Sequence, residues 1–168
     1  EKFAPIFSCQ FNSDPLAFFS FSNQEILSFM MKIRNIQTQK ARIDSNIRNA
    51  YINFSEMTIS VVVVNVEYGG KLIRGYGFCS NGRYAQCQII KERFLPRISN
   101  SDLSKVLDEN GVLDPRKIWQ TFMQNEKPGG HGDRAVAAGA LDMAFWDVYA
   151  KAYQKPLWKI LSEQFNDN

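Results

Sequence analysis

The chain has few of the residues that most often carry chemistry or covalent cross-links. It contains three cysteines and one histidine among 168 residues. An odd number of loosely spaced cysteines argues against a disulfide framework. The lack of a C-x-x-C pair argues against a structural zinc site, whose ligands show tight paired spacing. We therefore expect Cys9, Cys79 and Cys87 to be reduced, partly buried thiols of a cytoplasmic protein.

An excess of charge of one sign is also missing. Twenty Lys+Arg residues stand against 17 Asp+Glu, a net charge of +3, and the chain has no run of five like charges. We therefore expect neither nucleic acid nor a membrane surface as a partner. The chain also lacks the ~20 continuous apolar residues of a transmembrane helix. It is too short for a complete (β/α)₈ barrel, which needs at least ~200 residues, so barrel-borne chemistry is not expected from it.

Nucleotide-binding motifs are missing as well. The run Gly75-Tyr76-Gly77 has Ser80 where a dinucleotide-binding fingerprint would need its third glycine, and no Gly-Lys-Ser/Thr phosphate loop occurs.

Residues 1–29 differ in composition from the rest of the chain. They hold seven of the thirteen phenylalanines but one basic residue, Lys2. The apolar residues are interrupted at 12–15, which does not fit a signal peptide. We interpret residues 1–30 as a leader outside the domain and residues 31–162 as the domain. A targeting segment, or an extra element packed on the domain, remains as an alternative for the leader.

Three segments in sequence favour strands. Residues 32–40 alternate loosely between apolar and polar side chains, and residues 57–68 (MTISVVVVNVEY) are dominated by β-branched residues. The pair Gly69-Gly70 then precedes a third strand over 71–79, which predicts a hairpin. Residues 41–56 show no sustained period and are predicted to be a long loop.

The rest of the chain favours helices. We predict helices over 84–94, ended by Pro96, over 102–107, and from Asp114-Pro115 to about residue 124. The longest is predicted from about Gly132 to Tyr153. Strands followed by helices indicate an α+β fold: a three-stranded antiparallel sheet followed by a bundle of about four helices.

The run Asn-Glu-Lys-Pro-Gly-Gly-His-Gly at 125–132 is the least ordinary segment. Lys127 precedes a glycine-rich turn that leads into the longest helix, where free amides and the helix dipole favour an anion. Asn49 in the long loop and Asn81 after the third strand carry amides that suit a hydroxy acid. The alternatives are a solvated loop lysine and two turn residues.

Three further residues could take part in a site, but each has a simpler explanation. Asp142 and Asp147 are five residues apart on a helix, so their carboxylates point ~140° apart and do not predict a metal pair. Caps, ion pairs or a solvated face explain them better. His131 is predicted at a helix start, where a structural role is as good an interpretation as a catalytic one.

The helix sequence AVAAGALDMAFWD at 135–147, followed by Ala150-Lys151 and Lys155-Pro156-Leu157, resembles the end of the capping domain in the mandelate racemase/muconate lactonizing branch of the enolase superfamily. The resemblance covers about residues 32–161. The runs at 47–51, 75–78, 80–84 and 125–132 are similar to the D-tartrate dehydratase group.

This resemblance implies a cap that closes over a (β/α)₈ barrel, with Mg²⁺ held by barrel residues outside this chain. It implies that Asn49, Asn81 and Lys127 contact a small hydroxy-acid substrate, and that the chain carries neither catalytic residues nor metal ligands. The chain ends where the barrel would begin, so we expect a capping-domain fragment that is inactive alone, with the barrel as its missing partner. A non-catalytic cap remnant that acts as an interaction domain is the alternative, and a homo-oligomer remains open.

Overall fold

Three antiparallel strands form one sheet in the computed structural model, which describes residues 30–79, 85–127, 130 and 132–165. The strands are β1 (Lys32–Arg42), β2 (Thr58–Tyr68) and β3 (Lys71–Phe78), in the order β1-β2-β3. The sheet predicted from the sequence is therefore confirmed. The leader proposed for residues 1–30 lies, apart from Met30, outside the described residues.

The turn between β2 and β3 has two positive φ angles, which glycine adopts readily. Gly69 and Gly70 have φ angles of 53° and 72°, a combination that matches a tight hairpin turn and disfavours residues with a Cβ. The turn pairs Tyr68 with Lys71, and the register continues to Val61 opposite Phe78. The hairpin predicted from Gly69-Gly70 is confirmed.

The connection between β1 and β2 is irregular, as its polar sequence predicts. It contains a single bridge between Arg48 and Asn53 and a 3₁₀ turn, Phe54–Glu56. Two of its apolar side chains are strongly exposed, Tyr51 at 95% and Ile47 at 67%.

The first helical region corrects one prediction. Helix α1 (Gln86–Ile89) passes into a π-helical turn (Ile90–Phe94) and then into helix α2 (Leu95–Ser99). The helix does not end at Pro96, because Pro96 lies in the first turn of α2, where a missing N–H costs no intrahelical hydrogen bond. The Leu95 N–H donates to the carbonyl of Ile90, five residues earlier, so the wide turn absorbs the proline.

The later helices follow the predicted positions and add one more. A 3₁₀ turn (Leu103–Val106) precedes α3 (Pro115–Phe122), whose N-cap Asp114 accepts from the Arg116 N–H. The longest helix is α4 (Asp133–Ala152), and α5 (Leu157–Phe165) was not predicted from the sequence. No helix of the described residues is long and apolar enough to cross a membrane.

Helix α4 packs directly on the sheet through small residues. Val62, Val64 and Val66 of β2 are fully buried beneath it. A Cβ built on Gly75 would lie 2.1 Å from the Ala144 carbonyl oxygen. A Cβ built on Gly77 would lie 2.0 Å from the Ala140 carbonyl oxygen. The two glycines therefore allow the helix backbone to lie against β3.

Side chains of α4 also bind the backbone of β3 on the side away from β2. The Tyr76 N–H donates to Asp147 Oδ2 at 2.8 Å, and Lys151 Nζ donates to the Arg74 carbonyl at 2.8 Å. Asp147 and Lys151 pair with each other at 2.6 Å. The ammonium group of Lys151 lies 4.7 Å from the Tyr76 ring centroid.

Candidate functional site

The loops that carry the candidate residues start from one end of the sheet. Arg42, the last residue of β1, pairs with Thr58, the first residue of β2, so the loop 43–57 that carries Asn49 lies at this end. The Cys79 N–H donates to the Ser60 carbonyl at 2.9 Å, which places the end of β3 beside the start of β2. Residues 80–84, which include Asn81, follow directly.

The start of α4 lies at the same end of the sheet. Ala144 lies over Gly75 and Ala140 over Gly77, so α4 runs with its N-terminus toward the C-terminal end of β3. Gln86, which is fully buried, donates through Nε2 to Asp133 Oδ1 at 2.8 Å. This bond joins the residues just after segment 80–84 to the first turn of α4, and thus to the glycine-rich run that contains Lys127.

Asn49 holds its own turn together. Its Oδ1 accepts from the N–H groups of Tyr51 and Ile52, at 2.9 and 2.8 Å, and its N–H donates to the Ile52 carbonyl. This is the turn role that the sequence left open as an alternative. The Nδ2 amino group takes no part in these bonds, so the turn role and a contact with substrate are compatible.

Asn81 and His131 lie outside the described residues, so their predicted roles stay predictions. Lys127 is described and exposed. Its location after α3 and before α4 is the one predicted, and its contact with a substrate stays a prediction.

The residue before Lys127 is the most buried ionised group of this region. The Glu126 side chain is 1% exposed and meets three guanidinium groups, those of Arg93, Arg97 and Arg134, at 2.6, 2.7 and 2.9 Å. Burial acts to raise the pKa of Glu126, but hydrogen bonds from Arg97, Arg134 and Arg93 outweigh it and lower that pKa from 4.5 to about 2. Glu126 therefore remains ionised at every physiological pH.

Sequence reasoning did not identify Glu126 as part of this region. Its three partners come from the π-helical turn, α2 and α4, and the most distant, Arg93, is 33 residues away. The only local hint is that Glu126 directly precedes Lys127.

The described residues contain no group of three or more His, Cys, Asp or Glu side chains that could hold a metal ion. Asp147 pairs with Lys151, as an ion pair was expected to explain it. Burial raises the pKa of Asp142 from 3.8 to about 6, with a hydrogen bond from Trp146 opposing this change. Cys79 and Cys87 are free thiols, buried and half-buried, as expected for the state of these two, while the cytoplasmic location stays a prediction. Cys9 lies outside the described residues.

The geometry suits recognition of an anion by exposed groups at one end of the sheet. A carboxylate already paired with arginines does not compete with a ligand for the neighbouring lysine. A loop amide offers a donor to a hydroxyl.

Comparison with known proteins adds the family. The family described as mandelate racemase / muconate lactonizing enzyme, N-terminal domain, matches residues 37–162, well over half of the chain. Among solved structures, the chain is similar to a mandelate racemase/muconate lactonizing enzyme-like protein from Rubrobacter xylanophilus, with 19% identity and a TM-score of 0.46. The similarity covers 76% of this chain and 31% of that protein. The family match covers most of the chain, and the predicted α+β architecture is confirmed. The chain therefore belongs to the mandelate racemase/muconate lactonizing enzyme N-terminal domain family.

Proposed function

We propose that this chain is the capping domain of a Mg²⁺-dependent dehydratase and that it selects a hydroxy diacid of the tartrate class. The observation that carries the proposal is the exposed ammonium group of Lys127, held beside a buried, fully paired carboxylate at the end of the sheet where the Asn49 loop also lies. The similarity of the run 125–132 to the D-tartrate dehydratase group supports it.

In this proposal each candidate residue has a binding role. Lys127 pairs with the carboxylate of the substrate that is remote from the reacting carbon, because a charge-assisted bond to an ammonium is strong in a partly closed site. Asn49 and Asn81 bond the substrate hydroxyls through their amides. The substrate is then held in one orientation relative to the groups that perform the reaction.

Mg²⁺ does not fit the described residues of this chain, which offer no cluster of metal-binding side chains. We therefore assign its ligands, and the acid and base of the reaction, to a barrel domain that this chain would cover. No chemical step is assigned to the chain itself.

An interaction domain without a catalytic role is the second candidate. It is favoured by large apolar side chains that stay exposed, above all Tyr51 at 95%, Trp158 at 70% and Ile47 at 67%. Such residues suit a surface that another domain or protein covers. The two candidates differ in whether Lys127 affects a reaction.

The test joins the chain to the (β/α)₈ barrel of a D-tartrate dehydratase in place of that enzyme's own cap. We expect dehydration of D-tartrate by the fusion, and we expect Lys127→Met to lower kcat/KM ~10- to 100-fold, since a charge-assisted pair contributes ~1.5–3 kcal/mol. Initial rates over a range of D-tartrate concentrations measure this.

Lys91→Met is the matched control, because Lys91 is an exposed lysine of the π-helical turn. It should leave kcat/KM within ~2-fold of the parent fusion. A folded fusion in which Lys127→Met and Lys91→Met have equal rates would refute the role of Lys127. A fusion that folds but never turns over tartrate would favour the interaction domain.

A further inference from the structure

We propose that Glu126 is a positioning residue, which holds the segment that carries Lys127 in place and leaves the Lys127 ammonium group free for the substrate. The inference rests on the proposed function of Lys127. It adds a residue that never touches the substrate but determines where the binding cation lies.

The first step is the set of contacts that Glu126 makes. Its Oε1 accepts from Arg93 Nε and Arg97 Nη1, at 2.6 and 2.7 Å, and its Oε2 accepts from Arg93 Nη2 and Arg134 Nη1, at 2.8 and 2.9 Å. Arg97 Nη1 also donates to the Phe122 carbonyl at the end of α3. One carboxylate thus joins the π-helical turn, α2, the end of α3 and the start of α4.

The second step is the effect on the following loop. The Glu126 N–H donates to the Met123 carbonyl at 3.0 Å. On the far side of the loop, Gly130 has a φ of 109°, and a Cβ there would lie 2.9 Å from Arg134 Nη2. Because Arg134 contacts Glu126 and lies against Gly130, the first turn of α4 contacts a described residue on either side of Lys127. An attached loop loses less entropy when it binds a ligand.

The third step concerns charge. A lysine next to a free glutamate can pair with it and lose its attraction for a ligand. Here the two oxygens of Glu126 accept four N–H bonds, which fill the ~four acceptor positions of a carboxylate. Glu126 is therefore occupied by arginines and does not compete with an anion for Lys127.

The experiment uses the 168-residue chain and follows the backbone amide NMR signals of Lys127 and the first turn of α4. D-tartrate, a dicarboxylate, and threitol, an uncharged polyol with the same number of carbons, are titrated separately. We expect Glu126→Gln to raise the Kd for D-tartrate ~10-fold and to leave the Kd for threitol, which has no carboxylate to pair with Lys127, within ~2-fold. We also expect faster hydrogen exchange of the amides at 123–127.

Lys127→Met is the companion variant and should weaken D-tartrate binding as much as Glu126→Gln does. Should Glu126→Gln fail to fold, Arg93→Met replaces it, because Arg93 is about half exposed and its loss leaves two arginines on the carboxylate. This variant should raise the Kd for D-tartrate ~3-fold.

The inference would be overturned by a folded Glu126 or Arg93 variant that binds D-tartrate like the parent while Lys127→Met does not. Equal weakening of D-tartrate and threitol would also overturn it, because it would show a general structural role. If Lys127→Met binds D-tartrate like the parent, the proposed function fails and this inference fails with it.

Discussion

Two carboxylates of the chain lie in surroundings that change their acidity in opposite directions. Glu126 is surrounded by guanidinium groups, and its pKa falls to about 2. Asp142, on α4, is partly buried and has one hydrogen bond, from the Trp146 indole, that opposes the effect of burial, so its pKa rises to about 6. For Glu126 the hydrogen-bonded guanidinium groups outweigh burial, whereas for Asp142 burial outweighs its hydrogen bond.

We predict that Asp142 makes the fold less stable as the pH rises from about 4 to about 6. A folded-state pKa raised above 3.8 means that the folded chain holds the proton more tightly, so the stabilisation is complete below the unfolded pKa and is lost as the pH rises through about 6. Asp142→Asn should abolish this loss. Between pH 4 and pH 8 the free energy of unfolding of the parent should therefore fall by about 1–2 kcal/mol more than that of the variant, a figure that allows for solvent screening of a partly exposed group. Urea unfolding from pH 4 to 8 measures it.

Glu163→Gln is the control for this pH series. Hydrogen bonding with Lys155 lowers the pKa of Glu163, so its contribution to stability has the opposite sign. Parallel pH profiles for the parent chain and Asp142→Asn would contradict the prediction.

At the residue scale, the sequence predicts a candidate binding residue better than the group proposed to position it. Asn49 and Lys127 could be selected because an amide in a polar loop and a lysine before glycines are local patterns. Glu126 could not, because its significance comes from Arg93, Arg97 and Arg134, which meet only in the folded chain.

At the scale of elements, strands and turns were predictable from local chemistry. The β-branched run of β2 and the Gly69-Gly70 turn need no distant contact to be identified. The prediction that the first helix ends at Pro96 was wrong because a π-helical turn accommodates the proline. That turn depends on the packing of Ile90 and Phe94 in the core. Helix α5 was not predicted because it is short and depends on a tertiary contact, the packing of Ile160 in the core.

The contact between α4 and β3 gives a prediction at this scale. Gly75→Ala or Gly77→Ala would place a Cβ about 2 Å from a backbone carbonyl oxygen of α4. Backbone cannot move aside as a side chain can, so the helix must shift. We expect the free energy of unfolding to fall by about 3 kcal/mol in each variant. Chemical denaturation measures this.

Gly139→Ala is the matched control within the same helix. A Cβ at Gly139 meets nothing within 4 Å, and alanine favours a helix over glycine. The control should gain about 1 kcal/mol. Equal stability of the three variants would show that the close contact between helix and strand does not constrain the sequence.

At the scale of the whole molecule, α4 covers one face of the sheet, and the described side chains of β3 on the other face are exposed. Leu72, Tyr76 and Phe78 alternate with the covered residues of β3 and are 55%, 49% and 57% exposed. The fold class could be predicted because blocks of strands and helices are visible in the sequence. The antiparallel order β1-β2-β3 also implies that the loop carrying Asn49 and the end of β3 lie at the same end of the sheet. That the start of α4 lies at this end could not be predicted, because it depends on the direction in which α4 crosses β3.

The contacts of Asp147 and Lys151 with β3 have a consequence for association between molecules. An outer strand offers unpaired N–H and C=O groups to any other strand. The Asp147 carboxylate and the Lys151 ammonium occupy the Tyr76 N–H and the Arg74 carbonyl, as a fourth strand would. The two side chains therefore occupy backbone groups of β3 that an added strand would otherwise use.

We expect the double substitution Asp147→Ala with Lys151→Ala to increase the self-association of the chain, because it uncovers these backbone groups beside the exposed side chains of Tyr76 and Phe78. Sedimentation velocity over a concentration series measures the change. The double variant Lys155→Ala with Glu163→Ala is the control. It removes an ion pair of similar length, 2.7 Å, that lies away from β3, and it should leave the sedimenting mass of the chain unchanged. If both double variants sediment like the parent, the contacts of Asp147 and Lys151 with β3 do not limit self-association. If only Asp147→Ala with Lys151→Ala associates, these two side chains, one turn apart on α4, prevent another strand from pairing with β3.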